Sequence, residues 1–272
     1  MSERDQIGKI LAASLLSLSC PGSTCLPAQP LGAASEHRRV LAVFAHPDDE
    51  TMAGALLAHY AHTPGTGVYL AIVTNGEKGV MPHTRLSAGE ELAAVRIKEA
   101  ECACRVLGAH MPILLGMPDG GLNSVRVLAE LASKLKKTIV DVNPHAIVTW
   151  GPDGGYGHPD HRLVSAVVTQ IVQETGKPRL FYAALPNSRM PESTSELRFP
   201  APFVATSDQY LDTRVRVSRE DEAIARRSLA CHQSQFTPQS MDRISDITEK
   251  VNGGTAYLRS WSSGRKSADL FR

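Results

Sequence analysis

From residue 39 onward, short apolar runs alternate with stretches of helical periodicity, and this alternation restricts the chain to very few folds. RVLAVFAH (39–46), GVYLAIVT (67–74), MPILLGM (111–117), HAIVTWG (145–151) and PRLFYAALP (178–186) are apolar throughout, as strands buried on both faces must be. Between them, ETMAGALLAHYAHT (50–63), SAGEELAAVRIKEAECACRVLG (87–108), SVRVLAELASKLKKTIVDV (124–142) and DHRLVSAVVTQIVQET (160–175) show helical spacing. Ser87 and Glu90 are spaced as a capping box for the second of these helices, and Gly108 is its stop. Strand, helix and strand in repetition imply right-handed crossovers. The expected fold is therefore α/β: a Rossmann-like, mainly parallel sheet with helices on both faces. Ligands of such sheets bind beyond the carboxyl ends of the strands.

After residue 186 the pattern loosens. Residues 187–203 (NSRMPESTSELRFPAPF) read as a long loop or lid, and 218–236 as a charged helix with Ser218 and Asp221 at its start. The last forty or so residues are expected to pack back on the sheet as a small accessory region. Residues 39–272 thus form one domain, with 1–38 as a leader or linker. Within that leader, ILAASLLSLSC (10–20) is too short to span a bilayer but has the length of a signal-peptide core, followed by small residues that could be cut. Glu3 and Asp5 offset Arg4 and Lys9 ahead of it, which weakens the signal. The expectation is export or association with the cell envelope; the alternative is a cytoplasmic protein with a frayed tail. Leu18 and Ser19 make a poor lead-in to lipidation at Cys20. No later segment is long and apolar enough to be transmembrane, and a net charge of +1 without charge blocks offers no grip on nucleic acid. Cys102, Cys104 and Cys231 read as small buried hydrophobes, because their spacing is not that of a zinc knuckle.

Two strand ends carry the chemistry. AHPDDE (45–50) closes the first strand and GHPDH (157–161) follows the fourth. Pro47 sets a turn after His46, so Asp48 and Asp49 point in different directions around one point. If Asp160 caps the following helix, His161 lies in its first turn. Two histidines and a carboxylate are the ligand count of a catalytic zinc with one position open for water, and a carboxylate off the metal can serve as general base. Spacing alone leaves a second reading open, in which Asp49 or Asp160 is a helix cap and the histidines are surface residues.

The two motifs in this order resemble the LmbE/PIG-L family of zinc-dependent N-deacetylases, from about residue 39 to the terminal ADLFR. The resemblance implies a hydrolase that removes an N-acyl group, acetyl above all, from an amino sugar such as an N-acetylglucosamine derivative. It implies Zn2+ as the cofactor, with another divalent metal such as Fe2+ as the alternative. By position it implies His46, Asp49 and His161 as metal ligands, Asp48 as general base and His158 as oxyanion stabiliser. Tyr156 falls where some relatives polarise the carbonyl, and Arg96 and Asp119 where they contact sugar hydroxyls. His232, in CHQSQF, lies in a segment that approaches the site in the family. One departure is the single Gly54 where many relatives have a glycine pair, which narrows the helix start. Two other readings are a related amidase acting on another amide, such as a thiol-sugar conjugate, and a non-catalytic sugar-binding relative. The exported leader argues against a thiol-sugar substrate, and the intact motifs argue against loss of catalysis. Trp150 and the remaining histidines are expected to be structural.

Overall fold

The computed structural model describes residues 37–191, 202–262 and 264–272. The expected leader therefore lies almost wholly outside the described residues, as does the middle of the 187–203 loop. The described ends of that loop hold a short 3-10 turn at Asn187–Arg189 and Phe203.

The strands are β1 (Arg38–Phe44), β2 (Thr66–Thr74), β3 (Ile113–Met117), β4 (Ala146–Trp150), β5 (Arg179–Ala184), β6 (Thr213–Arg216) and β7 (Thr255–Ser260). They form a sheet in the order β3-β2-β1-β4-β5-β7-β6. The first five are mutually parallel; β7 runs antiparallel to both of its neighbours. Successive residues of β1 divide between two cores. Val40, Ala42 and Phe44 face one, and Leu41 and Val43 face the other. All five are fully buried, each large side chain contributing roughly 1.5–3 kcal/mol. The helices are α1 (Gly54–Ala61), α2 (Glu90–Leu107), α3 (Val125–Val142), the single turn α4 (Gly154–Gly157), α5 (Pro159–Thr175), α6 (Arg219–Leu229) and α7 (Pro238–Asn252). Leu56, Leu57, Leu107 and Ile224 of α1, α2 and α6 fill the first core, while Leu131, Leu135, Val164 and Val168 of α3 and α5 fill the second.

Several local expectations change. Helix α2 starts at Glu90 behind Gly89, with no side-chain cap, so Ser87 is not its cap; Gly108 does end it, in the left-handed conformation. Helix α5 is capped by the Nδ1 of His158, which accepts from the Asp160 N–H at 3.2 Å, so Asp160 is not the cap. Helix α6 has the Ser218–Asp221 capping box but stops at Leu229. The C-terminal region is part of the sheet: β7 inserts between β5 and β6. Gly54 meets α6, where a Cβ would lie 3.1 Å from that of Ala225, so the remaining glycine is the one the helix contact needs.

Cys102 of α2 and Cys231 after α6 form a disulfide, which corrects their reading as buried hydrophobes; Cys104 is buried and free as expected. A separation of 129 residues leaves no local signal of such a pairing. Loop-closure entropy for a crosslink of this span reaches about 5 kcal/mol, and losses on removing native disulfides are commonly about 2–5 kcal/mol. Reduction, or Cys102→Ser with Cys231→Ser, should therefore lower the denaturation midpoint by several degrees in a thermal melt. An unchanged midpoint would show that the bond stabilises nothing.

Candidate metal centre and active site

β1 is the middle one of the five parallel strands, with β2 on one side and β4 on the other. The crevice where the order reverses lies between the ends of β1 and β4, and both motifs empty into it.

In the first motif, the Ala45 and His46 N–H groups both donate to Asp49 Oδ2 at 3.0 Å. That anchors the carboxylate and leaves Oδ1 facing His161 Nε2 at 3.1 Å. Asp48 has φ 98°, in the left-handed region that costs non-glycine residues about 1–3 kcal/mol. Four contacts hold it there. Its N–H donates to Glu50 Oε2 at 3.0 Å, and its carbonyl accepts from the Thr51 hydroxyl at 2.7 Å. Arg96 donates to its Oδ2 at 2.9 Å and to the Pro47 carbonyl beside it. Glu50 in turn pairs with His232 at 2.5 Å; neither has any exposed side-chain surface.

In the second motif, Gly155 has φ 75°, and a Cβ there would lie 2.7 Å from the Trp150 ring, so only glycine fits. Trp150 stacks on His161, with centroids 4.7 Å apart and planes 5° from parallel. His161 Nδ1 faces the Gly154 carbonyl at 3.1 Å. That contact places the ring proton on Nδ1 and leaves the Nε2 lone pair directed at the other motif.

The expected ligands converge. His46 Nδ1 lies 3.1 Å from His161 Nε2 and 3.6 Å from Asp49 Oδ2. Donors about 2.0–2.1 Å from one tetrahedral zinc lie about 3.3 Å apart, so the His46 Nδ1–His161 Nε2 and His161 Nε2–Asp49 Oδ1 spacings suit the ion. The donor chemistry agrees: two imidazole nitrogens facing one another beside a carboxylate need a cation or a proton between them. On its far side His46 Nε2 sits between Asp119, at 3.2 Å, and Asp160, at 3.4 Å, without linear hydrogen-bond geometry to either. Those carboxylates are themselves held, Asp119 by the Lys78 N–H at 2.8 Å and Asp160 by the Gly120 N–H at 2.7 Å. Two other potential ligand groupings share His46: one with His158 and His161, the other with Asp119 and Asp160.

The electrostatics separate the roles. Burial disfavours charge on His46, but Asp119, Asp160 and Asp49 outweigh it and hold its pKa well above the ordinary imidazole value. Burial also opposes ionisation of Asp49, and His161 and His46 overcome it, keeping the carboxyl well below its usual range. Asp48 goes the other way: burial, with Asp49 adding to it against Arg96, pushes it up to about 6. His158 is pushed down to about 4 by burial and by His161 and His46. Burial notwithstanding, His46 and the Lys78 N–H bring Asp119 down to about 2.

Tyr156 packs with its ring 5.4 Å from His161 and 5.5 Å from Phe203. Arg96 is buried among Asp48, Pro47 and Gly76, and Asp119 is buried beside His46, so both stand against the ligand cluster itself. Residue reading alone did not find Glu50, Glu99 or Ser234; Glu99 accepts from both the N–H and the hydroxyl of Ser234. The remaining histidines have structural partners. His59 meets Asp221, His62 the Ala58 carbonyl and His83 the Gln233 carbonyl, while His110 stacks on Tyr69.

The family model described as PIG-L, GlcNAc-PI de-N-acetylase, matches residues 41–172, which include both motifs. A deacetylase of 1D-myo-inositol 2-acetamido-2-deoxy-alpha-D-glucopyranoside from a Mycobacterium species is 32% identical over 218 residues, covering 68% of this chain and 70% of that one. The chain belongs to the PIG-L family of de-N-acetylases. The Rhodococcus opacus protein of the same description is 36% identical over 170 residues, or 55% of this PIG-L member and 58% of that relative. Among solved structures, the N,N'-diacetylchitobiose deacetylase of Pyrococcus horikoshii superposes with a TM-score of 0.58 over 82% of this chain and 83% of its own, at 21% identity. That likeness is one of fold. The PIG-L match ends before His232, so the part of the site built by the last hundred residues lies outside it.

Proposed function

We propose that this PIG-L member is a zinc-dependent amidase that removes the acetyl group from the nitrogen of a 2-acetamido-2-deoxyglucoside. The observation that carries the reading is the convergence of His46, Asp49 and His161, with Asp48 beside them and His158 on the adjoining turn. When bound, zinc supplies Lewis acidity toward the amide oxygen and an acidified water. Two imidazoles and one carboxylate are also a set that ferrous iron accepts, so activity is best assayed with each metal.

The protein groups do the rest. Asp48, anchored by Arg96 and poised near neutrality, takes the proton of the attacking water and returns it to the departing amine. His158 is neutral at pH 7, and its cap contact keeps Nδ1 as acceptor, which puts the ring proton on Nε2. It therefore serves the developing oxyanion as a neutral donor. Tyr156 lines the same cavity and shields the reacting carbonyl from water. Asp119 and Asp160 orient His46, and such outer carboxylates commonly contribute 10–100-fold in metal affinity. Arg96 and Asp119, both buried in contacts within the protein, act on the sugar only through Asp48 and His46, which they hold in place.

Export is part of the same proposal. It is supported by the disulfide, since such bonds persist in oxidising compartments, and by the signal-like segment 10–20. Among the described residues no helix is long and apolar enough to cross a membrane.

Zinc-loaded protein should release acetate from methyl 2-acetamido-2-deoxyglucoside and from the inositol glycoside. The metal-free protein should release none until zinc is restored. Activity that survives complete metal removal would overturn the mechanism.

A further inference from the structure

No step of the proposed chemistry uses Glu50 or His232, yet both are completely buried beside the first motif. His232 Nε2 lies 2.5 Å from Glu50 Oε1. Burying such a pair sacrifices hydration that an apolar pair of the same volume would not lose, so stability alone is a weak reason for it. What the pair holds is the Asp48 backbone. Glu50 Oε2 accepts the Asp48 N–H at 3.0 Å, and Asp48 stands at φ 98°.

The segment that carries His232 is tied down on both sides of it. Cys231 is bonded to Cys102. The Ser234 N–H and hydroxyl donate to Glu99 at 2.6 and 2.7 Å, and the Gln235 side chain donates to the Gly79 carbonyl at 2.9 Å. Glu99 and Cys102 follow Arg96 along α2 at three-residue intervals. Arg96 donates to the Asp48 carboxylate at 2.9 Å. Helix α2 therefore fixes Asp48 twice: its side chain through Arg96, and its backbone through the 231–235 segment, His232 and Glu50. The neighbouring ligand Asp49 is anchored differently, by the Ala45 and His46 N–H groups.

We propose that His232 is a positioning residue for the reaction, acting through Glu50 to hold Asp48 left-handed with its carboxylate on Arg96. The inference rests on the deacetylase reading and adds to it what keeps the base in place. Once released from Glu50, a non-glycine residue at this φ is disfavoured by about 10–100-fold in population. The productive orientation of Asp48 becomes a minor one, and the loss falls on the chemical step. The zinc ligands and their anchors stay as they are.

The test uses zinc-loaded, full-length protein and methyl 2-acetamido-2-deoxyglucoside. Glu50→Leu with His232→Leu leaves the Asp48 N–H without its acceptor while filling the volume of the pair, an exchange that folded proteins often tolerate. This double variant should keep full zinc and an unchanged KM, with kcat lower by about 10–100-fold. His232→Gln, whose amide N–H can take the place of the ring donor, should retain most of kcat; His232→Asn, too short to reach Glu50, should not. In an Asp48→Asn background there is no base to hold, so the double substitution should cost nothing further. A role confined to the fold would cost the same in both backgrounds. Unchanged kcat in the folded double variant, loss of zinc along with activity, or an equal loss in both backgrounds would each overturn the proposal. If the double variant does not fold, the two single substitutions of His232 decide, and equal kcat values overturn it. If the wild type hydrolyses nothing, the deacetylase reading falls and a crystal structure of the double variant decides the rest. Asp48 moved out of the left-handed region keeps the clamp; Asp48 unmoved rejects it.

Discussion

Asp48→Asn is expected to keep a full complement of zinc and lose about 10^3-fold in kcat. Asparagine preserves the shape of the side chain, still accepts from Arg96, and tolerates the left-handed backbone at φ 98° better than most residues. It cannot take a proton. Positioned acid–base groups contribute about 10^2–10^4-fold, and in the proposed mechanism one carboxyl serves both the attacking water and the leaving amine. The ligand atoms of His46, Asp49 and His161 are untouched, so metal content separates this loss from a loss of the site. Full activity at full occupancy would remove Asp48 from the mechanism.

If Asp48 is the base, it should also set the acid limb of the wild-type profile. Its carboxyl is raised to about 6 by burial and by Asp49, and it works only when ionised. Activity should therefore rise as pH increases through that region. A divalent ion beside Asp49 favours the ionised form, so the limb should fall at or below pH 6. The linkage has the opposite sign for stability. A carboxyl with a raised folded pKa favours the fold in its protonated state, and that contribution is lost as pH rises through about 6. Where the base becomes competent, it also becomes a burden on the fold.

His161→Ala should abolish metal binding and activity together. The variant keeps one histidine and one carboxylate, and it leaves a void against the Trp150 ring on which His161 stacks. Asp119→Asn is the informative contrast. It removes charge behind His46 but no proposed ligand, so zinc affinity should drop by about 10–100-fold and recover at high zinc. Metal analysis after dialysis, followed by zinc titration of activity, distinguishes the two. A His161→Ala protein that retains stoichiometric zinc would shift the ligand set to the grouping of His46 with Asp119 and Asp160.

The sheet from β1 to β5 was legible because each strand is an apolar run and each helix a periodic one; those signals are local. The convergence of the two motifs followed from topology, since strands adjacent at the switch point deliver their loops to one crevice. What stayed hidden is non-local. TRVR and TAYLRS are short strands recognisable only by what they pair with. The Ser87 box failed because Gly89, at φ 122°, turns the chain just before the helix begins. His158 displaced Asp160 as the cap because a ring nitrogen can accept the same N–H, and Asp160 is occupied by Gly120. Glu50 reads as the last letter of a motif, and nothing near it announces a partner 182 positions away.

That partnership bears on how the molecule comes together. The stretch from 41 to 172 contains all three proposed zinc ligands, the proposed base and the proposed oxyanion donor, yet a ribosome that has released only that stretch has not made a working centre. Glu50, which grips the Asp48 N–H, has no counter-charge until His232 emerges, and the Cys102 thiol waits almost as long for Cys231. The order of synthesis thus delays maturation of the centre until residues 231 and 232 have been made and the segment that carries them packs against the first motif and α2.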